Sequence, residues 1–155
     1  MTSSTDLANG QSIQERYFAE GKCFGCGPAN DVGLKIRSFP RAEGLVAEWQ
    51  PRPEHEAFPD VLCGGIIGTL LDCHSNWTAW WTLLQRDGIE RPMTLTASYE
   101  VKLRPTPLDR PVALFAEPVD VSGDRVRVEA RLESGGRASA ECRGLFVRPP
   151  KRPAK

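Results

Sequence analysis

Two glycines and an aspartate, Gly64, Gly65 and Asp72, stand inside a proline-free stretch of helical length, Val61 to Arg86. The glycine pair follows Phe58 and Pro59 and marks a helix start. The first N–H groups of a helix lack intrahelical acceptors and carry partial positive charge, so they can hold an anion or a developing oxyanion. Asp72 is a carboxylate able to attack or to take a proton. It lies roughly 11 to 12 Å along the axis from the glycines at ~1.5 Å per residue. Donors and carboxylate of one helix are therefore too far apart to serve one carbonyl group.

On a helical wheel Gly64, Gly65, Gly68, Thr69, Asp72, Ser75, Asn76 and Ala79 fall on one side, while Ile66, Ile67, Leu70, Leu71, Trp77, Trp81 and Leu84 fall on the other. A solvent-facing stripe would carry Lys, Glu and Arg; small residues instead let a ligand or another backbone approach. The Asp72 face is expected to line a contact or a cleft.

Other reactive side chains fit this frame less well. Cys63, Asp72 and His74 have the residue types of a cysteine nucleophile with its base, but Cys63 and His74 are roughly 16 Å apart along one helix at ~1.5 Å per residue. His74 sits in the apolar arc and reads as a hydrogen-bonded core histidine. Cys23 and Cys26 form a single C-x-x-C with no second pair and no spaced histidines, so no metal site is expected and a structural turn is favoured. Trp77, Trp80 and Trp81 read as packing. His55, in the long loop PRPEHEAFPD before the glycines, is a candidate for substrate contact.

Twenty basic residues balance twenty acidic ones in 155, so no overall field favours nucleic acid or an anionic membrane. With 40% hydrophobic residues the chain fits one domain. The boundaries expected are a flexible segment 1–12, a domain 13–148 and a basic, proline-rich tail 149–155. Five cysteines, an odd number, behind a start without basic and apolar signal blocks, point to reduced thiols and the cytoplasm. No apolar run reaches the ~20 residues of a membrane span.

Elements follow from periodicity. Ile13 to Glu20 can form a short helix, and CFGCGPANDVGL reverses the chain. Leu34–Phe39 and Leu45–Trp49 read as hairpin arms. After the helix, Leu95, Ala97, Tyr99, Val101 and Leu103 alternate with polar residues as a strand with one buried face, ended by Pro105 and Pro107. Val112–Val121, bent at Pro118, Arg125–Glu133 and Ala138–Val147 follow, a meander of four antiparallel strands. The class is α+β: an antiparallel sheet curled on the apolar face of one long helix. The small polar face must then meet something else, and a second copy across a twofold axis is the economical partner.

This order of elements, the pattern CGGIIGTLLD and the later strand YEVKLRPTPL resemble hotdog-fold thioesterases of the phenylacetate-degradation (PaaI-like) type, from about Cys23 to Val147. Cys63 stands where that family has histidine, and Asp72 falls at the ninth position after it. The resemblance implies an acyl-CoA thioesterase in which the Gly64 N–H polarises the thioester carbonyl and Asp72 of the other subunit acts as nucleophile or base. It implies no cofactor or metal, and a homodimer or dimer of dimers. Gly65, Cys63 and Asn76 would line the substrate site, and Thr94 or Thr96 would assist from the following strand. Lys102, Arg104, Arg143 and Arg148 could meet coenzyme A phosphates or simply be solvated. The alternative is a protein of the same fold that binds an acyl-CoA or small acyl ligand without turnover.

Overall fold

Ser12 caps the first helix of the computed structural model, which describes residues 10–88 and 93–150. Its hydroxyl accepts the Glu15 N–H at 3.2 Å, and the Glu15 carboxylate accepts the Ser12 N–H at 2.6 Å. Most of the expected N-terminal segment 1–12, and residues 151–155 of the expected tail, lie outside the described residues. Ser12, assigned to that loose segment, is fully buried. Helix α1 covers Ile13–Tyr17, shorter than expected, and packs Tyr17 edge-on against Trp80 at 5.0 Å.

The strands are β1 (Ser38–Arg41), β2 (Gly44–Trp49), β3 (Leu95–Leu103), β4 (Val112–Ser122), β5 (Arg125–Ser134) and β6 (Arg137–Val147). Helix α2, Gly64–Asp87, lies between β2 and β3 in the chain and packs on the sheet. Its apolar face, with Ile67, Leu70, Leu71 and Leu83, meets Val112 and Leu114 of β4, Val126, Val128 and Leu132 of β5 and Phe146 of β6. Alternation along β5 is complete: Val126, Val128, Ala130 and Leu132 are buried, and the arginines and glutamate between them are exposed. Gly88 ends α2 in the left-handed region at φ 66°, with its N–H on the Leu84 carbonyl at 2.7 Å.

Three features depart from the sequence reading. The first hairpin arm is displaced to Ser38–Arg41: it starts late, because Leu34 and Ile36 give their N–H groups to the Phe24 and Gly25 carbonyls and are held by the turn instead of the sheet, and it runs on through Pro40 and Arg41, which pair with Leu45 and Gly44. The sheet order is β1-β2-β4-β5-β6-β3, so the last four strands are no simple meander and β3 pairs with β6 at an edge. The connection after β3 explains this. Its Thr106 carbonyl accepts the Leu62 N–H, and its Leu108 N–H reaches the Asp60 carbonyl, so the chain passes in front of the α2 start before β4 begins.

The third departure is β3 itself, most of which is exposed instead of burying one face. A register shift between Thr96 and Ser98 leaves Ala97 as an extra residue. Thr96, Tyr99, Val101 and Leu103 pair with Phe146, Gly144, Cys142 and Ala140, which lie on the face turned to α2. Leu95 and Ala97 are thereby moved off that face, and Leu95 is 59% exposed. The small polar stripe of α2 is also shorter than the wheel implied, since Ser75 and Ala79 are fully buried. Ser75 lies beside Cys142 of β6.

Candidate active site

Cys63, with φ −58° and ψ 127°, turns the chain into α2 without a side-chain cap. Its carbonyl accepts the Ile66 and Ile67 N–H groups at 3.1 and 3.2 Å, and its own N–H is fixed by the His55 carbonyl at 2.8 Å. His55 is held in turn: it is 5% exposed, its ring lies 4.9 Å from the Trp49 ring, and its Nδ1 accepts the Arg52 N–H at 2.9 Å. Burial lowers its pKa. These contacts make His55 a brace for the helix start. The Gly64 and Gly65 N–H groups have no acceptor among the described residues, so two oriented donors remain open.

Asp72 lies on the same open face, half-buried. Thr96 donates its hydroxyl proton to Asp72 Oδ1 at 2.6 Å, the length of a charge-assisted bond. Burial raises the Asp72 pKa, the Thr96 bond opposes that rise, and negative charge at Cys23 adds to it. One turn along, Asn76 Oδ1 accepts the Thr94 hydroxyl at 2.6 Å, and that hydroxyl also lies 3.1 Å from the Asn76 carbonyl. Both threonines therefore reach α2, and Thr96 alone reaches the carboxylate. The bulge at Ala97 is the reason, and no pattern of residue types announces it.

Two neighbours of Asp72, Tyr99 and Cys73, escaped the sequence reading. Tyr99 places its hydroxyl 3.8 Å from where a Cβ on Gly68 would stand, and its pKa is raised by burial and by the charge of Asp72. Leu103 closes the other end of the face, 3.2 Å from a Cβ built on Gly64. Cys73 is the second, and it completes a cluster with Cys23 and Cys26 whose three sulfurs lie within 4.8 Å of one another. Sulfur contacts from Cys26 and Cys73, helped by the Cys26 and Gly25 N–H groups, hold the Cys23 thiol well below its usual range against the effect of burial. The Cys23 contact pushes Cys26 up to about 11 against the opposing Cys73 contact, and contacts with both Cys23 and Cys26 push Cys73 higher still.

His74 takes no part in this face. It is fully buried; Nε2 donates to the Leu45 carbonyl at 3.0 Å, and Nδ1 accepts from the Ser38 hydroxyl at 2.8 Å. Gln14 completes the network through its amide group: Nε2 donates to Ser38 Oγ at 2.9 Å, and Oε1 accepts the Ser38 N–H at 2.8 Å. Burial pushes the His74 pKa down to about 4. Trp77, Trp80 and Trp81 are buried in one cluster with Ile13 and Leu45. Among the basic candidates Arg148 is spoken for, bridging Asp124 at 2.6 Å and Asp87 at 2.7 Å, and Arg143 faces Glu129 at 3.5 Å. Lys102 and Arg104, on either side of Leu103, make no ion pair among the described residues. Nor, among those residues, is any helix long and apolar enough to cross a membrane.

Solved structures share this architecture. A thioesterase superfamily protein from Shewanella loihica is 30% identical, with a TM-score of 0.61 over 74% of this chain and 91% of that one. Another thioesterase superfamily protein is 20% identical with a TM-score of 0.68, over 80% of this chain and 59% of that one, so this chain spans less than two thirds of its length. A phenylacetic acid degradation-related protein from Ralstonia eutropha is 14% identical, with a TM-score of 0.62 over 74% of this chain and 85% of that one. No protein-family model and no curated protein matches the chain. An antiparallel six-stranded sheet around one long helix, shared with these neighbours, is the hotdog fold. The chain belongs to the thioesterase superfamily.

Proposed function

We propose that this protein is an acyl-CoA thioesterase that works as a homodimer with two sites shared between subunits. The observation that carries the reading is the open face of α2, where an Asp72 carboxylate held by Thr96 and two unpaired N–H donors at Gly64 and Gly65 look the same way. Within one helix they are roughly 12 Å apart at ~1.5 Å per residue. Two antiparallel copies of the face bring Asp72 of one subunit toward Gly64 of the other. The β3 edge supports a second copy, because Tyr99 and Leu103 beside this face are 45% and 50% exposed and an unpaired strand edge invites a partner.

In such a site Asp72 takes a proton from water as the water oxygen attacks the thioester carbon. The developing oxyanion is stabilised by the Gly64 N–H, with Gly65 beside it. When the carbon–sulfur bond breaks, the proton held by Asp72 passes to the departing thiolate, leaving a carboxylic acid and coenzyme A. Thr96 orients the carboxylate. Cys63 forms the wall at the turn, Asn76 with Thr94 extends the acyl side, and His55 acts through its hold on Cys63.

The test is thiol release from a panel of aryl, short, medium and long acyl-CoA esters, run beside equilibrium binding of the same esters. Turnover of at least one ester is expected; binding without turnover by the folded protein would favour the non-catalytic alternative. Mixing Asp72→Ala with Gly64→Pro subunits should restore up to one intact site per mixed dimer. An active monomer, or no recovery after demonstrated subunit exchange, refutes the shared site.

A further inference from the structure

We propose that Cys23, Cys26 and Cys73 form a three-thiolate site for one thiophilic divalent cation, Zn2+ by its chemistry, with a fourth position open on the side of exposed Cys23. The sequence shows only the C-x-x-C; the fold adds the third sulfur by laying the 23–36 turn against α2. Three sulfurs converge within 4.8 Å of one another, and Cys23 and Cys73 Sγ are 3.8 Å apart. Thiolates bound tetrahedrally at about 2.3 Å from zinc sit about 3.8 Å from each other. That pair already has the required edge, and the third sulfur needs at most a small closure. A disulfide would engage two of the three and leave the last without a partner.

The surroundings are built for sulfur ligands. The Trp77 indole N–H donates to Cys26 Sγ at 3.3 Å, the outer-shell bond that fixes and tunes a metal-bound thiolate. The backbone N–H groups of Gly25 and Cys26 turn toward the Cys23 sulfur, and the Gly27 N–H closes the turn on the Cys23 carbonyl at 2.8 Å. Gly25 is required there, since a methyl group at that position would overlap Cys73 Sγ. On binding, Cys26 and Cys73 release their thiol protons to solvent, Cys23 being already a thiolate, and three sulfur–metal bonds form, with water able to complete the tetrahedron. The bound ion would clamp the 23–36 segment to α2 one residue from Asp72. This inference stands on the sulfur geometry and does not require the thioesterase reading.

The experiment uses the full chain, stripped with chelator under reducing, anaerobic conditions and then loaded. Elemental analysis after desalting should give one Zn2+ per chain, and Co2+ should produce thiolate-to-cobalt charge-transfer absorption. Cys73→Ser and, independently, the exposed-site change Cys23→Ser should each weaken binding by more than the ~100-fold that outer-shell losses cost, and Trp77→Phe should weaken it by ~10 to 100-fold. Cys63→Ser should still bind one ion. Wild-type protein that takes up no metal with its thiols free, that forms a Cys23–Cys73 disulfide and excludes the ion even after reduction, or that binds equally well after Cys23→Ser overturns the proposal.

Discussion

Replacing Gly64 by proline removes one backbone N–H and leaves the fold almost untouched, which makes the proposed oxyanion donor separable from the helix that carries it. Gly64 is the first residue of α2, where proline's fixed φ suits the helix and the missing N–H breaks no intrahelical bond. The residue before it, Cys63, already has the extended ψ of 127° that a following proline demands. The unfolded chain loses freedom, so stability should hold or rise by ~0.4 to 1 kcal/mol. The new side chain is not free of cost, because a Cβ at this position stands 3.2 Å from Leu103 Cδ1 and that flexible methyl must yield. Gly64→Ala carries the same Cβ and keeps the N–H, so it is the control for crowding. The expected result is a thermal midpoint close to wild type in both variants and a fall in kcat of ~10² to 10³ for the proline variant relative to alanine, the loss typical of one oxyanion donor. Steady-state thiol release on the best ester of the panel, with circular dichroism melts, makes the measurement. Equal rates in the two folded variants would refute a catalytic role for this N–H.

Two predictions follow from protonation. Thr96→Val removes the bond that opposes the rise in the Asp72 pKa, so the acid limb of the kcat/KM profile of chelator-treated enzyme should move to higher pH, and Thr96→Ser should return it; an unmoved limb separates Thr96 from the carboxylate's function. For His74, whose folded pKa near 4 lies below the usual 6.5, the unfolded state binds more protons between those values, so its contribution is complete above pH 6.5 and is lost as pH falls toward 4. The shift corresponds to roughly 3 kcal/mol, and His55 acts in the same direction. Urea unfolding of the chelator-treated chain across that window should show the decline, with the His74 ring signals of the native state still those of the neutral form at pH 5.

Much of this protein is legible in its residues because the signals are local. Alternation marks β5, the proline-free small and apolar stripes mark α2, and the glycine pair followed by an acid singles out the helix start and Asp72. Local too is the placement of His74 within an apolar arc, which its bonds to Ser38 and Leu45 satisfy. What pairs with what is not local. Strand β3 lies beside β6 because the proline-bearing segment after it bonds to the residues before α2, a contact between distant parts of the chain. The extra residue at Ala97 is a defect in a ladder that exists only once both strands are paired, and it alone decides that Thr96, and not Leu95 or Ala97, faces Asp72. Cys73 joins Cys23 across fifty residues for the same reason: a sequence specifies which groups can do chemistry, but only the packed chain sets the few ångströms between them.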